Sequence, residues 1–525
     1  MNGRRDVVVI GSGVEELAAA ADLAGAGFRV TVLERGEAPG GPAATEEILP
    51  GFRVDPVFPD AGYLPPGTVR DLELEAHGLE LLAPDPVLTA PAGLGEPLVL
   101  WRDPERTRAS IARRSTADAE RWAGFTERIA AFAGVLEAVC SRPPPRPAGP
   151  LRELVPYLGL GRRIRSLGRE RMIDFLRVLP LPVYDLLDDS FGDELLKGAL
   201  GAMAARGVFQ GPRSPGTALV LLHRQVGSQA GVFGPRTTVR GGMGALVEAL
   251  AASARERGVE IRCGERVARV AVEKGRAVGV ALDGGNEVAA RAVLSGADPS
   301  RTLLDLAGAE HLDPDLVHAA RQIRFRGGYA RVHVALSEAL RFEGLAEAPT
   351  GTFVVAPGLD YVERAYDDAK HGGTSARPVL EARIPTLADP SLAPPGRHVM
   401  SVDVRFVPLG SARAGNGVDP EALGDLVIEV LAQHAPNLPG AILERRVVTP
   451  ADLETRHGLT GGDPYQGELA LDQLLFMRPV PGWGRYRTPI QGLYLCGTGT
   501  HPAGAITGAS GRHAASAIHE DMERG

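Results

Sequence analysis

Two glycines and a glutamate carry the first chemistry that can be read from this 525-residue sequence. Gly11 and Gly13 follow a β-branched apolar run, residues 6–10 (DVVVI), and precede an alanine-rich helical stretch over 17–26. Glu34 ends a second apolar run, residues 28–33 (FRVTVL). A glycine turn from strand into helix lets backbone N–H groups and the positive helix end hold a pyrophosphate. Gly11 makes the tight turn, and Gly13 lets a phosphate approach the backbone. An acid about twenty residues on accepts a hydrogen bond from an adenosine ribose. Strand, turn, helix, strand and acid arrive in the order of one βαβ unit. The third glycine of the G-x-G-x-x-G pattern is replaced, because Glu16 stands there beside Glu15. Carboxylates in a first helical turn suit the helix dipole. They also compete with a pyrophosphate for the same positive end, at about 1 kcal/mol per charge.

Elsewhere reactive residues are sparse. His223 and Arg224 close residues 218–224 (ALVLLHR), which read as an apolar strand whose end faces a substrate cavity. No Ser-His-Asp or Cys-His arrangement follows from spacing, and no metal cluster. The three cysteines, Cys140, Cys263 and Cys496, lie far apart and outside any CxxC pair. That argues against a disulfide framework, a zinc site and a dithiol centre, and it suits a reducing cytoplasm. A net charge of -8 offers no basic field for nucleic acid. The start lacks the apolar core of a signal peptide, and no stretch approaches a membrane span. Arg162, Arg163, Arg165, Arg169 and Arg171 share a helical stretch with Leu160, Ile164, Leu167 and Met172. It reads as a solvated face over an apolar stripe, or else as a weak contact with anionic lipid.

These residues need elements to position them. Residues 107–138 read as helical, 143–150 (PPPRPAGP) as a rigid surface connection, and 151–205 as helical with breaks near Pro180 and Pro182. Residues 238–244 (TVRGGMG) open a helix over 245–257, and strands follow at 259–262, 267–272, 278–282 and 287–294. Gly284-Gly285 is the turn between the last two. Strands at 331–336, 351–356, 379–384 and 398–407, with helices at 360–370 and 420–433, suggest a second unit on a largely antiparallel sheet. Residues 492–496 (GLYLC) form a short strand feeding a glycine-rich loop and a final helix from 508. The class is α/β, and a chain of this length exceeds one core and forms two joined domains.

Several of these segments resemble the phytoene-desaturase-like FAD-dependent oxidoreductases, relatives of the carotenoid desaturases and isomerases. The nearest branch is that of the pyridine-nucleotide-disulphide-oxidoreductase-domain proteins. The resemblance rests on Val9-Ile10-Gly11-Ser12-Gly13, Leu33-Glu34-Arg35 with Gly40-Gly41, Thr45-Glu46-Glu47 and Gly241-Gly242-Met243-Gly244-Ala245-Leu246. It continues through Asp360-Tyr361, the run from Ala365 to Lys370, Gly497-Thr498-Gly499-Thr500-His501-Pro502, and Thr507-Gly508-Ala509 with Gly511-Arg512. It implies a Rossmann-type FAD-binding domain built from residues 1–75, 236–300 and 482–525, and an inserted α+β substrate domain from 76–235 and 301–481. By that resemblance Gly11, Gly13, Glu34, Arg35, Gly40 and Gly41 hold the ADP half of FAD, and Val267 meets the adenine through its backbone. Gly497, Gly499, Thr507, Gly508 and Ala509 line the flavin. His501 lies beside it, as hydrogen-bond donor or general base, or simply as the residue that fixes the turn before Pro502.

The implied activity is hydride removal from a C–C or C–N bond of an apolar or mixed small molecule, or isomerisation on reduced flavin, with an electron acceptor the sequence does not identify. An apolar cavity is expected to open toward residues 497–502. The chain departs from its relatives at Val14-Glu15, where they often carry His-Asn, at Glu16, at Pro42, and at Ala503 and Ala505 in place of glycines. If FAD binds, Glu16 is expected to point away from the pyrophosphate. The alternative is a family member with weakened or lost FAD binding through Glu15 and Glu16, acting as a non-redox enzyme or a binding or scaffold protein.

Overall fold

Val7, Val8 and Val9 of the strand Arg5–Ile10 have no exposed surface, as a strand covered on both faces requires. In this computed structural model, which describes residues 5–93, 95–145, 157–228, 232–234, 237–326, 329–408, 418–504 and 507–524, that strand lies inside a seven-stranded sheet. Val30–Leu33 pairs with it in parallel on one side and Glu287–Ser295 on the other. Glu260–Arg262 continues beyond Val30–Leu33, and Leu493–Leu495 joins Glu287–Ser295, both in parallel. The antiparallel strands Val267–Glu273 and Arg276–Leu282 lead into Glu287–Ser295. Strands from the beginning, middle and end of the chain therefore share one sheet. Strand order reverses beside Arg5–Ile10, and ligands of such sheets bind at the carboxyl edge of that point.

Three helices cover one face of this sheet. The first helix, Val14–Gly25, and the last, Ala509–Arg524, approach so closely that a Cβ at Gly511 would overlap the carbonyl of Glu15. The third, Met243–Glu256, begins at Gly241 and Gly242, whose φ values are 84° and 87°. Its head is capped from a distance: Met243 N donates to Asp55 Oδ1 at 2.9 Å and Gly244 N to Thr45 Oγ1 at 2.8 Å. A side chain at Gly242 would displace Thr45, which explains the paired glycines.

The second sheet runs Ile442–Val448, Tyr329–Leu336, His398–Arg405, Leu380–Arg383, Thr352–Val355, Leu88–Ala90, Leu98–Leu100. All its pairings are antiparallel except Thr352–Val355 with Leu88–Ala90. One face packs Val332, Val334, Met400, Val402 and Val404 against Leu423 and Val427 of the helix Pro420–Ala432. A helical layer around Thr116–Cys140 forms the remaining core.

Three sequence expectations change here. Residues 107–138 are two helices, Pro104–Ala112 and Thr116–Cys140, because Ser115 breaks the run and caps the second. Residues 218–224 do not form a strand: Thr217–His223 is a helix, buried at every position among other helices, where an all-apolar run carries no periodicity to separate the two states. The helical stretch over 151–205 becomes four helices between Leu158 and Ala204. Residues 146–156, position 236 and Ala505 lie outside the described residues. The basic segment forms Leu158–Ser166 and Gly168–Val178, with Leu160, Ile164 and Leu167 packed on the helical core. Arg163 and Arg171 pair with Glu137 and Glu127, and Leu158, Ile173 and Leu176 are exposed. No described helix is long and apolar enough to cross a membrane.

Candidate cofactor and substrate site

At the carboxyl edge of the first sheet, Gly11 turns at φ 96° and Gly13 stands extended at the head of the first helix. Glu34 is buried against this turn. Its Oε2 accepts from Ser12 N at 3.0 Å and Ser12 Oγ at 2.6 Å, and its Oε1 from Gly36 N at 2.8 Å. Gly40 N reaches Ser12 Oγ at 3.3 Å, so Gly40, Ser12 and Glu34 form one polar cluster. Gly41 follows with φ 51° and opens the short turn Gly41–Ala43. Glu265 N donates to Glu34 O at 2.8 Å, which brings the start of the strand at Val267 beside the acid. Arg35 is exposed and turns aside, its Nη2 donating to the carbonyl of Arg456 at 2.9 Å.

Glu15 and Glu16 are both buried. Glu15 reaches across to the last helix: Oε1 accepts from Thr507 N at 2.9 Å and Gly508 N at 3.0 Å, and Oε2 from Gly511 N at 3.0 Å. Burial raises its carboxyl above the usual range against the pull of these amides. Two of the five residues expected to line a flavin, Thr507 and Gly508, thus give their N–H groups to Glu15. Glu16 faces inward, between the strand ends. A Cβ at Gly296 would overlap its carboxyl, one at Gly13 would come within 2.5 Å of Oε2, and Cys496 Sγ lies 3.6 Å from Oε1. Burial, with Glu15 and Glu34 adding to it, pushes Glu16 up to about 8, so it is neutral at pH 7. The simple picture of two exposed charges repelling a phosphate does not describe this pair.

The loop after Leu493–Leu495 is held by residues that spacing does not reveal. Gly499 N donates to Gln466 Oε1 at 2.9 Å, and Gln466 Nε2 to Gly296 O at 2.8 Å, which ties the loop to the first sheet. Gly497 turns with φ 89° and a side chain there would meet Gln466 Oε1 at 2.7 Å. Arg478 is buried and donates to the carbonyls of Tyr465, Gly467, Glu468, Gln473 and Thr498. His501 Nε2 faces the carbonyls of Val139 at 3.2 Å and Arg142 at 2.9 Å, so that nitrogen carries the proton. Burial lowers its pKa, and the neutral ring fastens the loop to the end of Thr116–Cys140. Asp463 is pushed up to about 7 by burial, with Oδ1 accepting from Tyr465 N at 2.9 Å. Glu73, His77 and Glu256 come together elsewhere on the surface, His77 pairing with Glu256 at 3.0 Å.

A small, partly open cavity adjoins this loop, reaching Tyr465 and Gly504. It is not the apolar space expected. The second sheet turns Arg331, Asp403 and Arg405 toward it, with Glu381 and Arg383 on the same face behind them, and all five are buried. Arg331, Asp403 and Glu381 stand in register across three strands. Arg331 pairs with Asp403 at 2.6 Å, Arg405 with Glu381 at 3.2 Å, and Arg206 also pairs with Glu381. Although burial opposes it, these guanidiniums hold the Asp403 carboxyl far below its ordinary range. The alternation of charged and apolar residues in these strands is the sequence signal that marks the face. Arg224, singled out from the sequence, lines the cavity from the helix end. His223 packs its ring on Gly504 and is pushed down to about 3 by burial and by Arg224 and Arg478.

The adenosine end fits a dinucleotide: a positive-φ glycine turn, a side-chain-free helix head and a buried acid at the end of the second strand. At the other end, Asp463 Oδ2, Arg224 Nε and His501 Nδ1 are buried polar atoms with no hydrogen-bond partner among the described residues, as expected where a polar ligand completes a site. The stretch between is where Glu15 and Glu16 stand.

Known proteins carry the same combination. Residues 183–519 match the family described as flavin containing amine oxidoreductase, and residues 9–58 the NAD(P)-binding Rossmann-like domain. The chain is 36% identical to pyridine nucleotide-disulfide oxidoreductase domain-containing protein 2 of Mus musculus, over 99% of its own length and 94% of that protein's. It is 28% identical to phytoene dehydrogenase of Streptomyces griseus, over 94% and 91% of the two chains. The crystal structure of an oxidoreductase from Methanosarcina mazei has the same fold, with a TM-score of 0.60 at 16% identity, over 98% and 100% of the two chains.

Proposed function

Because the chain belongs to the family of flavin-containing amine oxidoreductases, we propose that it is an FAD-dependent oxidoreductase removing a hydride from a C–C or C–N bond of a small molecule. The observation that carries this reading is the convergence of the glycine turn, Gly296, Glu34 and the loop from Gly497 on the carboxyl edge of one sheet. We assign residues 1–75, 236–300 and 482–525 to the cofactor half and the rest to the substrate half. The backbone N–H of Gly13 at the helix head would hold the pyrophosphate, while Gly11 makes the turn, its own N–H donating to Leu33 O at 2.9 Å. Glu34 would accept from the ribose in place of Ser12, with Gly40, Gly41, Arg35 and Val267 around the adenosine. Gly497 and Gly499 would border the ring. A bound flavin supplies the hydride acceptor, and the protein supplies binding, orientation and electrostatics. Gln466 and Arg478 keep the loop in shape, and His501 anchors it to the helical layer.

A second reading, a member that no longer holds FAD, is favoured by one observation: Glu15 already occupies the amides of Thr507, Gly508 and Gly511. The purified protein decides between them. Its visible absorption, and release of FAD on denaturation, should show close to one flavin per chain. A colourless protein whose addition leaves FAD fluorescence unquenched would establish the second reading.

A further inference from the structure

The cavity beside Gly504 has an unbalanced charge. Four guanidiniums border it, those of Arg206, Arg224, Arg331 and Arg405, against the carboxylates of Asp60 and Asp403. Glu381 and Arg383, beneath them, add one more acid and one more cation: Glu381 pairs with Arg206 and Arg405, Arg383 with Asp60, and Asp403 with Arg331. Arg224 differs. Its Nη1 and Nη2 donate to the carbonyls of Gly504 and Arg206, each at 3.1 Å, and among the described residues its buried Nε has no partner and no carboxylate pairs with it. The ring of Tyr465 lies 5.0 Å from its guanidinium carbon. A cation without a counter-ion, at the end of a row of buried ion pairs, raises the local potential and favours an incoming anion. Val57, Phe58 and Ala61 supply an apolar wall to the same cavity.

We propose that this cavity takes a small organic acid, its carboxylate received by Arg224 and its carbon body lying against Val57 and Phe58. The Arg224 guanidinium, which has no carboxylate partner among the described residues, calls for a negative charge, and its flat fork matches a carboxylate. Tyr465 precedes Gln466, which holds Gly499 and Gly296, so the acid's carbon skeleton would lie beside the loop that borders the ring. That this acid is the molecule oxidised rests on the proposed function; that the cavity binds it does not.

Calorimetric titration of the purified full-length chain, with and without added FAD, tests this with benzoate, benzamide, benzylamine and phenyl phosphate as probes. Benzoate should bind and weaken with salt, with benzamide and benzylamine at least about tenfold weaker, the loss expected for one hydrogen bond to a charged group. Arg224→Gln should lower benzoate affinity by about ten- to a hundredfold, and Arg224→Lys by less. Circular dichroism identifies a variant that fails to fold. In that event the order of the four probes on the wild-type chain decides alone. Equal binding of benzoate and benzamide, preference for benzylamine, tighter binding of phenyl phosphate, or a folded Arg224→Gln with unchanged affinity would each overturn the proposal. Benzoate binding through Arg224 in a chain that takes up no FAD would uphold the acid site while ending the redox reading. A flavin-loaded chain indifferent to benzoate would do the reverse.

Discussion

Glu16 replaces a glycine with a carboxyl that burial has pushed up to about 8, wedged between Gly13, Gly296 and Cys496. A neutral carboxyl there leaves the helix head positive, and an ionised one opposes a pyrophosphate by about 1 kcal/mol. FAD affinity in the wild-type chain should therefore fall by about fivefold between pH 7 and pH 9. Glu16→Gln should hold its pH 7 affinity throughout. Fluorescence titration at several pH values checks this, and parallel curves for the two proteins would remove Glu16 from the cofactor site. Glu34 and the glycine turn were legible in the sequence because that signal is local, with strand, turn, helix and acid inside one βαβ unit. The partners of Glu15 were not, because Thr507, Gly508 and Gly511 come near it only when the last helix docks on the first. Gln466 and Arg478 act on backbone carbonyls and amides, and no residue pattern announces such contacts. Of His223 and Arg224, expected at the end of a strand facing a substrate cavity, Arg224 borders a cavity and His223 does not, and the element is a helix.

The first and last helices meet with no side chain at the crossing, since a Cβ on Gly511 would overlap the backbone of Glu15. Gly511→Ala should push the helices apart and strain all three hydrogen bonds to Glu15. Overpacking of this kind costs about 1–3 kcal/mol. Gly124→Ala, on the exposed side of Thr116–Cys140 where a Cβ meets nothing within 4 Å, should instead stabilise by about 0.5–1 kcal/mol through helix propensity. Thermal melts of the two variants should move in opposite directions; a Gly511→Ala melting at or above wild type would mean the helices do not approach as described. Elements with a clear period or turn chemistry were legible. The hairpin about Gly284-Gly285 and the alternating strands of the second sheet lie within a residue or two of expectation. Short strands such as Leu88–Ala90 and Leu98–Leu100 were not, because they complete a sheet whose partners lie far along the chain.

Across the whole molecule, buried carboxyls divide into two groups that respond oppositely to pH. Burial pushes Glu16 up to about 8, Asp463 to about 7 and Asp55 to about 6, from 4.5, 3.8 and 3.8 when unburied. A raised folded pKa means that the folded state holds the proton more tightly. The stability this brings is complete below the unfolded pKa and is lost as pH rises through the folded one. Asp403 is the reverse: held far below 3.8 by Arg331, Arg405 and Arg383 against the cost of burial, it stabilises the fold above its unfolded pKa and loses that effect in acid. The two windows overlap only on the mildly acid side. The melting temperature should therefore peak near about pH 5 and decline toward pH 8.5. Glu16→Gln combined with Asp463→Asn keeps the acceptor for Tyr465 N and removes two titrations. That variant should flatten the limb between pH 6 and 8.5 and leave the acid limb, which belongs to Asp403, where it was. Melting curves across this range decide it: a double variant that still declines as steeply as wild type would show that these carboxyls are not buried as protonated acids, and that the surroundings of Glu16 and Asp463 are wetter than their packing implies.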